Sequence, residues 1–547
     1  MRGTNTRRRR RAGAFIVAVG AVALAVGVTT ALADDEGQPV DFTHNVLDAP
    51  APVTQAVFGT SPSAKAGEAI CTTATQPGPN MNTDCEGASG QGIGPHNETS
   101  IAVNPTNPLN IIGGANDYQL GLNPGGHVGE TVRSRAHVTV DGGRTWSEYP
   151  IESNSAYQAT GDPAVAFDAS GHAYYATLGF RFAGPVNGTN PDIVVANSGD
   201  GGKTWNSVRI ASGSGSFGSV GDLLDKEYIA AWGAGNAIVT FGDFRLGQKG
   251  ALLTGEIFAS VTHDFGTTWS NPVVISGGLD QAFVSVPTVA ADGRIYVAFL
   301  NTTDLTTGRD DYEVVEVSPA TGEKLAGPFK VATTIDGRTD YPVALGSQTY
   351  QDSIFRSWAA GNITADPTNA QHLAVVWSDM RNSTLPAQTD PYVAKTNSDV
   401  IVSQSFDRGR TWSAPVALAL ARDQWMPWGA YDGTGKLRIG TFDRQSDPAN
   451  HLYGYTLATE TAAGSLAFGT TPVTTAPSDP TKDNRWFAAT LNASFPFANA
   501  FIGDYSNIAI VPGVAGGVVS YWTDLRVEAC FAGRCGHGED AFFARSP

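Results

Sequence analysis

The sequence predicts an all-β chain folded as a β-propeller of four-stranded blades, seven in number, with a six-bladed ring as the alternative. Three observations carry this. One eight-residue pattern, S/T-x-D-x-G-x-T-W, occurs at Thr139–Trp146, Ser198–Trp205, Thr262–Trp269 and Ser405–Trp412. Around it a longer phrase repeats from Asn97 onward: apolar strand, turn, apolar strand, loop, strand, the patterned turn, and a final short strand. The last such phrase lacks its fourth strand, as expected when a ring closes by borrowing one from the other terminus.

The chain of 547 residues opens on an export signal. Arg7 to Arg11 form a basic start, an apolar stretch runs from Ala12 to about Leu32, and Ala31-Leu32-Ala33 reads as a cleavage site before Asp34-Asp35-Glu36. The competing reading is an uncleaved anchor, since the stretch is nearly long enough to span a bilayer. Cleavage after residue 33 removes six arginines and leaves 29 basic against 52 acidic side chains, a net charge of −23. That charge disfavours nucleic acid and anionic membranes as partners. The expectation is a secreted monomer with no stable membrane anchor. Residues 34–95, rich in Ala, Pro, Thr, Gly and Asn, read as an irregular segment that contributes the closing strand, from Val40–Val46 or Pro52–Phe58. Residues 96–547 form the propeller.

Blade 1 has its inner strands at Thr99–Pro105 and Asn110–Asn116, blade 2 at Asp162–Asp168 and His172–Leu178, and blade 3 at Lys226–Trp232 and Ala237–Asp243. Each continues through a third strand into the patterned turn. Blade 4, starting at Val286–Asp292, has a decayed turn at Pro319-Ala320-Thr321-Gly322. Blade 5 starts at Ala360–Pro367 and regains the pattern; blade 6, from Met426–Asp432, lacks it; blade 7, from Asp504–Val511, ends with the chain.

Within the repeated turn each residue type has a task. Asp141, Asp200, Asp264 and Asp407 accept hydrogen bonds from turn N–H groups, the glycines allow positive φ, and the tryptophans plug the space between sheets. The turn resembles the Asp-box, or bacterial neuraminidase repeat, of the sialidase-like β-propellers. That resemblance implies that the boxes lie on the face opposite the active site. It also implies a glycosidase whose tyrosine nucleophile is assisted by a glutamate, with an aspartate as acid/base and three arginines on the substrate carboxylate. Asp162, Glu227 and Tyr505 are the candidates for the catalytic set. The chain departs from the sialidase pattern in having seven blades and no R-I-P motif; Arg133 and Arg135 precede the first box without it.

Second strands end in a D-x-R phrase at Asp243–Arg245, Asp379–Arg381 and Asp524–Arg526. Arg245, Arg381 and Arg526 are candidates for an anion clamp, because guanidinium presents two parallel donors to a carboxylate. The structural alternative is a belt of salt bridges. Connections between blades carry His96-Asn97-Glu98, Asp225-Lys226-Glu227-Tyr228 and Gly503-Asp504-Tyr505, and Trp358 and Trp425 are candidates to stack on a sugar. The expected partner is a carbohydrate or glycoconjugate. The expected function is that of a secreted sialidase-like glycoside hydrolase acting on extracellular glycans; the alternative is a non-catalytic propeller that binds glycan or protein through its funnel face. No cofactor and no metal in the site are expected, with structural calcium at Asp304, Asp310 and Asp311 left open. Cys71, Cys85, Cys530 and Cys535 allow three disulfide pairings, of which the local one, Cys71–Cys85 with Cys530–Cys535, is favoured by proximity.

Overall fold

In the computed structural model seven four-stranded antiparallel sheets form the blades of a propeller. The structure describes residues 67–85, 95–122, 128–151, 157–182, 188–216, 219–248, 252–277, 281–304, 309–335, 343–344, 347–348, 350, 353, 355, 357–383, 397–418, 420–482, 502–531 and 534–546. The export signal and the segments Val40–Val46 and Pro52–Phe58 lie outside them. No helix among the described residues is long and apolar enough to cross a membrane.

Blades 1 to 6 take their innermost strands from His96–Val103, Ala159–Phe167, Gly221–Trp232, Ala282–Val289, Gly361–Ala365 and Gln424–Tyr431. Blade 7 runs from Asn507–Ile510 through Val518–Asp524 to Asp540–Ser546, and its outermost strand is Asn80–Asn82. The ring therefore closes with a strand later in the N-terminal segment than the two stretches expected. Asn80, Met81 and Asn82 stand opposite Ala544, Phe543 and Phe542. The Asn80 side chain reaches into blade 6, donating to the Val473 carbonyl at 2.9 Å and accepting from the Thr475 N–H at 2.7 Å. Just outside this strand the Cys71–Cys85 disulfide ties Cys71–Thr72, a fifth strand on blade 1, back to the closure. Cys530 and Cys535 are backbone partners across a hairpin of Glu528–Phe531 and Arg534–His537; their side chains are outside the described residues.

The four patterned turns share one hydrogen-bond scheme. Asp141 accepts from the Arg144 and Thr145 N–H groups at 2.9 and 3.1 Å and from the Thr145 hydroxyl at 2.8 Å, while Trp146 Nε1 donates to the Gly143 carbonyl at 3.2 Å. Asp200, Asp264 and Asp407 likewise each accept from a threonine N–H and its hydroxyl. The glycine of each turn also meets the preceding blade. Gly143 has φ 101°, and a Cβ there would lie 2.2 Å from Phe543 of blade 7; at Gly202, with φ 96°, it would lie 2.8 Å from Ile112 of blade 1. Glycine is thus required both for the left-handed turn and for the fit between blades.

Trp146 is fully buried, stacked on Tyr521 and edge-on to Phe543 of blade 7, and Trp205 is buried against blade 1. Trp269 and Trp412 were expected to be equally buried and are only half so. Blades 3 and 5 have outermost strands of two residues, Val273–Val274 and Val416–Ala417, against four in blade 1 and six in blade 2. The shorter rim leaves those indoles partly uncovered. Trp146→Ala should therefore lower the unfolding free energy by about 3–5 kcal/mol, as for other buried tryptophans. Trp412→Ala should lose clearly less, and urea titrations of the two variants make the comparison; equal losses would contradict the role given to the outer strands.

Candidate functional site

Five of the seven innermost strands carry the same irregularity near their start. The pairing skips between Asn97 and Ser100, Gly161 and Ala164, Asp225 and Tyr228, Phe283 and Val286, and Trp425 and Trp428. Inside each skip sits one residue with positive φ: Glu98, Asp162, Lys226, Val284 and Met426. A bulge re-aims a side chain out of the ladder. Here the five side chains are directed at the centre of the ring, where they meet Asp504 and Tyr505 from the entry to blade 7 and Trp358 from the entry to blade 5.

Blades 7, 1, 2 and 3 make this centre ionic. Lys226 Nζ lies 2.6 Å from Asp504, 2.9 Å from Asp162 and 3.4 Å from Glu98, with all four side chains almost fully buried. Glu98 also accepts from Asn116 Nδ2 at 2.7 Å, and Asn116 Oδ1 accepts from the Asp162 N–H at 2.9 Å. Burial works against the lysine charge, but the carboxylates of Asp162, Asp504 and Glu98 outweigh it and hold Lys226 well above its usual range. Burial, reinforced by Asp162, pushes Glu98 and Glu227 well up. Burial pushes Asp225 up to about 8.

Blades 4, 5 and 6 make the centre apolar. A pocket opens beside the ion cluster, lined by Val284, Trp358, Met426 and Trp428 together with Lys226 and Asp504. Tyr228 and Tyr505 close its side: Tyr228 stacks on Trp428 with ring centres 5.3 Å apart and meets Tyr505 edge-on at 5.3 Å. Trp358 Nε1 donates to Asp504 Oδ1 at 3.0 Å, joining the two halves.

Asp162, Glu227 and Tyr505 do come together, as their mutual electrostatic influence shows. Their roles differ from those expected. Asp162 is spent on Lys226. Glu227 is 1% exposed, absent from the pocket wall, and neither of its carboxyl oxygens has a hydrogen-bond partner among the described residues. The Tyr505 hydroxyl donates to the Pro163 carbonyl at 2.9 Å, and burial raises its pKa, so it is a neutral phenol fastened to blade 2 rather than an activated nucleophile.

The arginines do not form a clamp. Arg381 binds Asp379 through Nε and Nη2 and also donates to the Thr333 carbonyl of blade 4. Arg526 is held the same way by Asp524, and its Nη1 reaches Asn80 of the closing strand and Thr475 of blade 6 at 3.0 and 2.9 Å. Arg245 lies at the surface on Asp222. In each case a short local partner captures the guanidinium before it can reach the axis. Trp358 is a pocket residue, but Trp425 is fully buried among Tyr350, Phe355 and Tyr453. The bulge at Met426 turns Trp425 into the core and presents Trp428 instead. The box aspartates serve only their turns. Asp311 is taken by Lys330 at 2.7 Å and Thr333 at 2.7 Å, which removes it from the calcium set; the Asp304 side chain lies outside the described residues.

No family model and no curated protein sequence matches the chain. Among solved structures it is similar to the Hadza microbial sialidase Hz136, at 14% identity over 67% of this chain and 66% of that one, with a TM-score of 0.40. It is also similar to the α-L-arabinanase of Penicillium chrysogenum complexed with arabinobiose, at 12% identity over 86% of this chain and 98% of that one, TM-score 0.39. A PL25 ulvan lyase matches at 12% identity over 69% of this chain and 80% of that one, TM-score 0.41. The likeness concerns the propeller fold, and the chemistry of this axis rests on its own residues.

Two outcomes follow. Arg526→Ala should destabilise by about 3 kcal/mol, because it leaves the buried Asp524 without its cation, and differential scanning calorimetry would show the loss. The second concerns pH. Asp225 has an ordinary value of 3.8 and holds its proton in the folded state up to about 8. The folded protein binds one more proton than the unfolded chain across that window, so stability falls as pH rises through it and levels off above. Asp225→Asn removes this contribution. Its melting temperature should fall less between pH 5 and pH 8 than that of the parent, and identical profiles would refute the assignment.

Proposed function

We propose that the chain is an exported carbohydrate-active propeller that meets an extracellular glycan at its axial pocket. In this reading residues 1–33 are the export signal and the four patterned turns are the Asp-boxes of a sialidase-like propeller. The observation that carries the proposal is the mixed lining of the pocket: the indoles of Trp358 and Trp428 stand together with Asp504 and Lys226, and Trp358 is bonded to Asp504. An aromatic face suits the C–H face of a pyranose, while a carboxylate and an ammonium in the same lining suit its hydroxyls. The preferred sugar is uncharged. Three acids surround one ammonium, and the arginines that would attract an acidic sugar are bound in the rim.

Binding is the primary activity of this reading, because of the acids near the axis only Asp504 lines the pocket. Hydrolysis is the second reading, and one observation favours it. Glu98 and Glu227 are both pushed well above the usual carboxyl range beside the carboxylates on Lys226, the division between a protonated and an ionised acid that glycoside cleavage uses.

A glycan array probed with purified protein, followed by calorimetry on the best neutral ligand, tests the binding reading. Trp428→Ala should weaken binding at least about tenfold, which corresponds to roughly 1.4 kcal/mol. Retention of sialosides alone, or unchanged affinity in the variant, would overturn it. Turnover of a chromogenic neutral glycoside that is lost in Asp504→Asn would establish the hydrolase.

A further inference from the structure

A second cluster lies where the ring closes, outside the pocket. Asp84 follows the closing strand Asn80–Asn82 and precedes Cys85 of the disulfide. His96 is the first residue of blade 1, and Asp540 opens the third strand of blade 7. One donor atom from each of these three residues lies within 4.8 Å of the others. The His96 side chain is fully buried, that of Asp84 is 6% exposed, and Asp540 is 8% exposed. Asp540 Oδ2 accepts no hydrogen bond among the described residues. Two carboxylates and an imidazole in mutual reach, with little water to screen them, call for a positive charge between them.

The imidazole is already oriented for such a task. Its Nδ1 faces Asp84 Oδ2 at 4.0 Å, and its Nε2 faces Asp117 Oδ1 at 3.5 Å. Asp117 is in turn held by Arg135 at 3.1 Å. A carboxylate behind one ring nitrogen favours the proton there and leaves the other nitrogen as a lone pair, an arrangement common behind metal-bound histidines. The 4.0 Å between His96 Nδ1 and Asp84 Oδ2 is too long for a direct hydrogen bond.

We propose that Asp84, His96 and Asp540 bind a divalent transition ion of the Zn2+ type, and that this ion clamps the closing segment onto blades 1 and 7. Two carboxylates neutralise its charge. The imidazole nitrogen selects it over Ca2+ and Mg2+, which favour oxygen throughout. The ion joins the start of the described chain, at Asp84 and His96, to its end at Asp540, so its binding adds directly to the stability of the closed ring.

The test uses the full chain, unfolded and refolded at pH 7.5 with EDTA, Zn2+, Mn2+, Ca2+ or Mg2+, followed by dialysis, elemental analysis and thermal melting. About one equivalent of retained Zn2+ or Mn2+ is expected, with a melting temperature several degrees above the EDTA sample. Asp540→Asn should retain no metal and should melt at the same temperature with Zn2+ as with EDTA. If that variant does not fold, Asp84→Asn, whose side chain touches solvent, makes the same comparison. Absence of retained metal and of any melting shift in the parent protein would overturn the proposal. A response to Ca2+ alone, or full metal retention in the folded variants, would overturn it equally.

Discussion

Asn80–Asn82 pairs with Asp540–Ser546, and through that short ladder the first described segment of the chain becomes the rim of its last blade. A propeller whose final sheet kept three strands would leave a row of unpaired backbone groups open to other chains. The contacts around the ladder all serve the same seam. Asn80 bonds to blade 6, Arg526 bonds to Asn80, the Thr83 hydroxyl bonds to Tyr521 at 2.8 Å, and Trp146 fills the gap between blades 7 and 1. The local geometry of the other blades presupposes that this join holds.

The seam is secured a second time at the axis. Lys226 of blade 3 holds Asp162 of blade 2, Glu98 of blade 1 and Asp504 of blade 7, so one ammonium bridges the junction from inside. Such a buried group contributes more to specificity than to net stability, because desolvation offsets much of the attraction. It also sets the sign of the axis. Burial first, and then the several acids around a single base, make nearby carboxyls resist ionisation, as the raised Glu98, Asp225 and Glu227 show. The wall left to blades 4, 5 and 6 carries no charge at its bulge positions, Val284 and Met426, which makes it receptive to a flat or ring-shaped ligand.

The fold was legible in the sequence where its causes are local. All the hydrogen bonds of Asp141 or Asp407 to the turn fall within eight residues, so the chemistry repeats visibly with the structure. The closing strand was not legible: Asn-Met-Asn has no apolar run, and only its partner gives it meaning. The site was legible in part. The segments around Glu98, Lys226 and Asp504 stood out as blade connections, but the convergence of their side chains is a property of the closed circle. Lys226 itself passed as a neighbour of Glu227. The D-x-R phrase misled for the opposite reason, since Arg381 and Arg526 each find their aspartate two residues away and go no further. Trp425 misled because a bulge reverses which side of a strand a residue faces, and a bulge leaves no mark in an alternating pattern.

Five innermost strands hold a side chain other than glycine in the left-handed region at one equivalent place. That conformation costs about 1–2 kcal/mol for a typical residue with a Cβ, less for aspartate and more for a β-branched valine. Glutamate, aspartate, lysine, valine and methionine all occupy it here. The bulge is thus kept even where the side chain opposes it, as at the β-branched Val284, so the ring geometry and not the residue dictates the backbone here. Each place acts as a socket in a fixed ring. Val284 and Met426 can be exchanged one at a time to reshape the pocket, whereas Glu98, Asp162 and Lys226 are bound to one another and can change only together.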